Sequence, residues 1–220
     1  MEKVREKKLD GRDKKRLITA AAGIVGFCLI FYFMITGISS GFDDGVRNFF
    51  YGLRNDVLTP VVKVITYMGN WQTIIALCLV LLAVKRTRTV YGIPVSAGAV
   101  LVTVINKSIK HIVQRPRPDD ILHLVNEGGF SFSSGHSITS IFVYGLLIYL
   151  IRENMKNKTA ANILTVILAV PALCVGPSRI YLGVHYPTDV LAGWCLGIAI
   201  LAGMIEALEI IKLRKKRMLK

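Results

Sequence analysis

Six apolar stretches set the terms for any fold this chain can adopt. The hydrocarbon core of a bilayer is about 30 Å thick and a helix rises about 1.5 Å per residue, so a membrane-crossing helix needs roughly 20 apolar residues. Stretches that reach or approach that length run from about 17 to 38, 71 to 84, 91 to 109, 137 to 151, 161 to 177 and 188 to 211. Backbone polar groups inside lipid must be paired within their own segment, so each stretch is expected to be helical. With 53% of its 220 residues hydrophobic, the chain reads as an all-α, polytopic membrane protein. The first stretch, Leu17 to Ile38 behind a basic segment ending in Lys14, Lys15 and Arg16, is too long for a cleaved signal and is expected to stay as an anchor.

Between the first two stretches, Phe42, Val46, Phe49, Phe50 and Leu53 recur at helical spacing, while Asp43, Asp44, Arg47 and Arg54 take other positions. This pattern predicts an amphipathic helix lying at the membrane interface. Residues 57 to 68 leave two alternatives open, a re-entrant helix or a seventh span, and the start of the second span, at or before Trp71, is the least defined boundary.

Charge chooses between them. A formal charge of +14 would suit a nucleic-acid partner, but the basic residues gather in short segments between apolar runs, the pattern of membrane orientation. With six spans and the N-terminus inside, segments 1 to 16, 85 to 90, 152 to 160 and 212 to 220 are cytoplasmic and hold 8, 3, 3 and 6 of the 28 Lys and Arg residues. A seventh span would send the last three clusters outside, against the positive-inside rule. The expected organisation is therefore a basic cytoplasmic tail at 1 to 16, a six-span domain at 17 to 211 and a second basic tail at 212 to 220. Four cysteines, Cys28, Cys78, Cys174 and Cys195, fall inside apolar stretches with no metal-ligand spacing, and are expected as buried structural thiols.

This orientation places segments 110 to 136 and 178 to 188 on one external face, where three polar clusters stand at span ends. They are Lys110 to Pro118, Ser133 to His136 and Ser178 to Asp189. Ionisable groups at such places are costly to desolvate and mark function by default. Lys110, Arg117 and Arg179 can cradle a phosphate, the two arginines through bidentate forks. Ser134 and Gly135 precede a helix whose free N–H groups favour an anion. Phosphoryl transfer through a covalent intermediate needs a nucleophile and an acid, roles that His185 and His136 can divide, and Asp189 can reach back from the next helical turn to an imidazole N–H.

Together these residues resemble the type 2 phosphatidic acid phosphatase superfamily, which also includes vanadium haloperoxidases. Lys110 to Pro118 fits K-x6-R-P, Ser134-Gly135-His136 fits the P-S-G-H core with Ser133 in place of proline, and Ser178 to Asp189 fits S-R-x5-H-x3-D. The resemblance implies that His185 attacks phosphorus to give a phosphohistidine, Asp189 orients it and His136 protonates the leaving group. It also implies that Lys110, Arg117, Arg179 and the Ser134 and Gly135 amides bind the phosphate, with no metal and no cofactor. The implied partners are a lipid phosphate or diphosphate and the surrounding membrane lipids. Undecaprenyl pyrophosphate ranks ahead of phosphatidylglycerol phosphate, phosphatidic acid and diacylglycerol pyrophosphate.

Each motif alone is weak, since a histidine at a helix end is usually a polar cap; the joint occurrence, in order and on one membrane face, carries the reading. His111, His123, Lys107 and Arg115 lie outside the motif positions and are expected at the surface or on headgroups. Asp119, Asp120 and Glu127 are expected in a solvated loop rather than a cation site. Phe49, Phe50, Tyr51 and Trp71 suit a lateral lipid entrance or an interfacial belt. Two rivals remain: a phosphotransferase sharing the intermediate, and a protein that binds or moves lipid phosphates without chemistry.

Overall fold

The computed structural model describes residues 11–218; of the two expected basic tails, positions 1–10 and 219–220 lie outside the described residues. The helices in order are α1 (Gly11–Ile35), α2 (Ser40–Gly52), α3 (Leu58–Tyr67), α4 (Trp71–Ala83), α5 (Lys85–Thr87), α6 (Ile93–Val113), α7 (Gly135–Asn154), α8 (Lys158–Tyr181) and α9 (Pro187–Met218). A π-helical segment, Arg88–Gly92, joins α5 to α6, and a 3-10 turn, Asp120–Leu122, lies in the loop after α6. The all-helical expectation holds. Among the described residues five helices are long and apolar enough to cross a membrane, and α3 with α4, bent by 48° at their junction, makes a sixth if counted as one broken span.

Residues 57–68 are therefore half of a bent pair. The break falls at Gly69 and Asn70, where Asn70 is extended and opens α4. A Cβ on Gly69 would stand 2.4 Å from Val175 Cγ1 and 3.2 Å from His136 Cδ2, so α8 and α7 approach the junction closely enough to require glycine. Boundaries differ elsewhere. Residues 85–90, expected as a polar connection, are helical and run through the π segment into α6, and the basic stretch 212–218 continues α9.

α7 is the central helix. Phe142, Val143, Leu146 and Ile138 on it are fully buried, and α6, α8 and α9 pack around it while α1 lies along α9. Lipid offers no hydrophobic drive for helices to associate, so close packing of small residues must supply it. Gly193 and Gly197, one turn apart on α9, have built Cβ positions 3.0 Å from Ser134 O and from Ile138 O of α7. On the lipid side Cys28 and Cys174 are exposed and Cys78 and Cys195 partly so, which corrects the buried-thiol expectation: these apolar helices turn much of their surface outward, to lipid.

One end of the bundle is polar. α6 stops where Gln114 adopts φ +49° and its N–H caps Lys110 O, turning the chain back across the bundle end. Arg54, just after α2, then ties two loops together through Nε to Tyr181 O at 2.9 Å and Nη2 to Leu122 O at 3.0 Å. Leu124 N donates to Leu182 O at 2.9 Å, and Gly183, at φ +83°, lets the loop pass where a Cβ would meet Leu122 O at 2.3 Å. These contacts bring segments 110–136 and 178–188 together.

Candidate active site

The three motifs meet at this end. His185, in the loop between α8 and α9, is 1% exposed, and Asp189, in the first turn of α9, is fully buried. Pro187 starts α9 with a φ suited to the first turn, and that turn sets Asp189 one helical step from His185. Asp189 Oδ2 lies 3.2 Å from His185 Nδ1 and also accepts from Tyr186 N at 2.9 Å and from the Ser131 hydroxyl. A carboxylate at Nδ1 fixes the proton there and leaves the Nε2 lone pair outward. Nε2 stands 3.2 Å from Arg117 Nη1, a donor-only group, which agrees with that tautomer. Burial first, then the cations Arg117, Lys110, Arg179 and Arg115, hold the His185 imidazole well below the usual histidine range, so it is neutral at neutral pH.

Arg117 also donates to Val184 O at 2.7 Å and to Gly128 O at 2.9 Å, which anchors its fork beside His185. Arg179, in the last turn of α8, is 1% exposed; its Nη1 donates to Thr66 Oγ1 at 3.0 Å, and its buried Nε has no hydrogen-bond partner among the described residues. Lys110, one turn before the end of α6, reaches Phe130 O and, at 3.3 Å, Ser131 O. His136, in the first turn of α7, holds Asn70 Oδ1 at 2.6 Å from its Nε2. Asn70 accepts there, so the proton sits on Nε2. Asn70 was not singled out from the sequence, although Gly69-Asn70 is a strong turn signal.

A cavity of about 780 Å³ joins four of these groups, Lys110, Arg117, His136 and His185, while Arg179, Asp189 and Asn70 do not line it. Its polar end carries Lys110, Arg117, His136 and His185 with Gly135 and Glu127, and its walls are Ile74, Ile75, Leu79 and Leu82 of α4 and Val100 and Val104 of α6. Among the described residues no group of three or more His, Cys, Asp or Glu is arranged to hold a metal ion.

Three expectations need correction. Ser134 is fully buried, its N–H donates to Asp189 O at 3.1 Å and its hydroxyl accepts from Ser137 at the start of α7. Its amide is thus spent on joining α7 to α9, and only Gly135 of that pair borders the cavity. Glu127 is not a solvated loop carboxylate: it pairs with Arg179 Nη2 and stands 3.7 Å from Arg117 Nη2. Arg115 is no surface residue either, since Nη1 donates to Asp189 Oδ1 at 2.7 Å and Nη2 to Asp43 Oδ2 at 2.8 Å. Asp119 and Asp120 do stay in the loop, where Asp119 caps the 3-10 turn.

The PAP2 superfamily model matches residues 91–210. Phosphatidylglycerophosphatase B of Bacillus subtilis is 42% identical over 98 residues, 43% of this chain and 46% of that protein. Undecaprenyl-diphosphatase of Sulfolobus acidocaldarius is 31% identical over 149 residues, 64% of this chain and 66% of that protein. The chain thus aligns with less than half of the first relative and about two thirds of the second. The crystal structure of a transmembrane PAP2-type phosphatidylglycerolphosphate phosphatase from Bacillus subtilis superposes with a TM-score of 0.80 at 27% identity, covering 88% of this chain and 97% of that one.

Proposed function

This chain belongs to the PAP2 superfamily, and from that premise we propose that it is a metal-independent membrane phosphatase that hydrolyses a lipid phosphate or diphosphate through His185. The observation that carries the reading is the two-sided setting of His185: Nδ1 rests on Asp189, and Nε2 opens beside Arg117 into the cavity that also holds Lys110 and His136.

A phosphate seated between Arg117, Arg179 and Lys110 presents its phosphorus to Nε2, with the Gly135 amide at the first turn of α7 as a further donor. Nε2 forms the N–P bond as the bond from phosphorus to the lipid oxygen breaks, and His136, charged once the bound phosphate offsets the cations around it, supplies the proton to that oxygen. Asp189 stabilises the imidazolium form that develops on His185. Water then gives a proton to the now neutral His136 as it attacks the phosphohistidine; the N–P bond breaks, inorganic phosphate leaves and both imidazoles return to their starting state. The apolar walls from α4 and α6 suit the lipid tail, which stays at bilayer depth while the headgroup reaches the polar end. Both termini lie in the cytoplasm under the positive-inside rule, so the site faces the outer side, with α2 on the interface.

Within this class an isoprenoid diphosphate is the first-ranked substrate, ahead of phosphatidylglycerol phosphate, phosphatidic acid and diacylglycerol pyrophosphate. The test is phosphate release by the purified protein from these four lipids in micelles, with and without chelator. Release from at least one, unaffected by chelator and lost in His185→Ala, is expected. Phosphate appearing on an added lipid acceptor instead of in solution would favour the phosphotransferase, and no transfer at all, with lipid binding intact, would favour a binding protein.

A further inference from the structure

Two charged residues that occupy no specified motif position sit directly behind the catalytic pair. Arg115 grips Asp189 Oδ1 at 2.7 Å and Thr188 Oγ1 at 2.8 Å through Nη1, and stacks over the Tyr186 ring at 3.9 Å. Its Nη2 is held at 2.8 Å by Asp43, which lies in the first turn of α2 and is 2% exposed. The Asp43 carboxylate is filled further by Thr188 N at 2.9 Å and Thr188 Oγ1 at 2.8 Å. A buried carboxylate is a costly way to anchor an amphipathic helix, whose apolar face would serve. Here both oxygens of Asp43 accept from Thr188, in the turn that carries Asp189, and Oδ2 also accepts from Arg115, which itself holds Asp189.

We infer that Asp43 and Arg115 are positioning residues for the proposed phosphatase reaction, holding Asp189, and through it His185, in line with the phosphate seat and making α2 part of the active site. The inference rests on the phosphatase reading for its kinetic consequences only. Charge gives it a direction. His185 is faced by Lys110 from α6, by Arg115 and Arg117 from the following loop and by Arg179 from α8. His136 from α7 adjoins it, Asp189 of α9 opposes these cations, and Glu127 engages Arg117 and Arg179. Asp43 acts on this set through Arg115, whose guanidinium it shares with Asp189. With Asp43 neutral, the whole charge of Arg115 falls on Asp189, which then supports the imidazolium less. With Arg115 neutral, Asp189 supports it more.

The experiment is the pH profile of kcat/KM for lipid phosphate release in micelles, for wild type, Asp43→Asn and Arg115→Gln. Both variants are expected to lose about 100-fold in kcat with KM within about threefold, the cost of a catalytic group displaced by about 1 Å. The acidic limb is expected to move down in Asp43→Asn and up in Arg115→Gln, by about half a pH unit or more. Histidine titration by nuclear magnetic resonance, in protein labelled with 15N at its four histidines, reads the same displacement at His185 without turnover. A wild type that releases no phosphate therefore sinks the phosphatase reading while leaving the positioning inference decidable. Should the charge-removing variants not fold, Asp43→Glu and Arg115→Lys keep each charge but shift it, and are expected to lower kcat without moving the limb; wild-type kcat in both overturns the inference. So do limbs and titrations that stay put, or move together, in the first pair.

Discussion

Replacing Glu127 with glutamine removes one negative charge from the point where Arg117 and Arg179, the proposed phosphate-binding arginines, converge. Glu127 pairs with Arg179 Nη2 and lies 3.7 Å from Arg117 Nη2, and its side chain is 28% exposed against 2% for Arg179 and 8% for Arg117. A phosphate that takes both guanidinium groups must displace the carboxylate. Its apparent affinity is then the intrinsic one reduced by the fraction of molecules in which Glu127 has withdrawn. A hydrogen bond to a charged partner contributes about 1.5–3 kcal/mol, and solvent on the Glu127 side screens part of that. A net of about 1–1.4 kcal/mol corresponds to roughly five- to tenfold in a binding constant. Glu127→Gln keeps the size and loses the competition, so the inhibition constant for inorganic phosphate is expected to fall by about that factor, and KM for the lipid phosphate with it. The assay is initial-rate phosphate release in micelles with added inorganic phosphate. An inhibition constant unchanged within about twofold, or one that rises, would refute the displacement argument. Thermal unfolding supplies a second check: the variant leaves Arg179 with one partner fewer, so phosphate should raise its Tm more than it raises that of wild type.

His185→Ala is expected to abolish phosphate release, and His136→Ala to slow most the lipids with poor leaving groups; equal losses across leaving groups, measured on a substrate series, would count against the acid role. Because burial and neighbouring cations hold the His185 imidazole well below its ordinary value of 6.5, the neutral nucleophile persists as pH falls, so the acidic limb of kcat/KM due to His185 should lie below pH 6.5. A limb assigned to His185 above pH 7 would contradict this. Gly98→Ala places a Cβ 2.3 Å from the Phe142 ring and is expected to cost about 1–3 kcal/mol. Gly203→Ala, with nothing within 4 Å of its Cβ, should cost nothing in the same detergent melt.

What the sequence made legible follows from its local physics. Apolar length announces a span, and a histidine four residues before an aspartate at a helix start announces an oriented imidazole. His185 and Asp189 accordingly meet as expected, at 3.2 Å. The bend between α3 and α4 had a visible signal, Gly69-Asn70, but its meaning depends on Val175 and His136, which are far along the chain and leave no room for a Cβ.

Ser134 shows a different limit. Its place before α7 promised two N-terminal functions, an anion-binding amide and a capping hydroxyl, and only the second survives, because the Asp189 carbonyl arriving from α9 claims the amide. Glu127 and Arg115 went further astray, since a charge in a loop is solvated by default and nothing nearby says otherwise. Their partners, Arg179, Arg117, Asp189 and Asp43, come from α8, α9, α2 and the loop after α6. Four cations gathered around one imidazole need counter-charges even before a phosphate is considered, and Asp189, Asp43 and Glu127 are the carboxylates that meet them. That demand is a property of the assembled site. The electrostatic ground for proposing the cations as a phosphate cradle therefore extends the proposed site to these acidic residues.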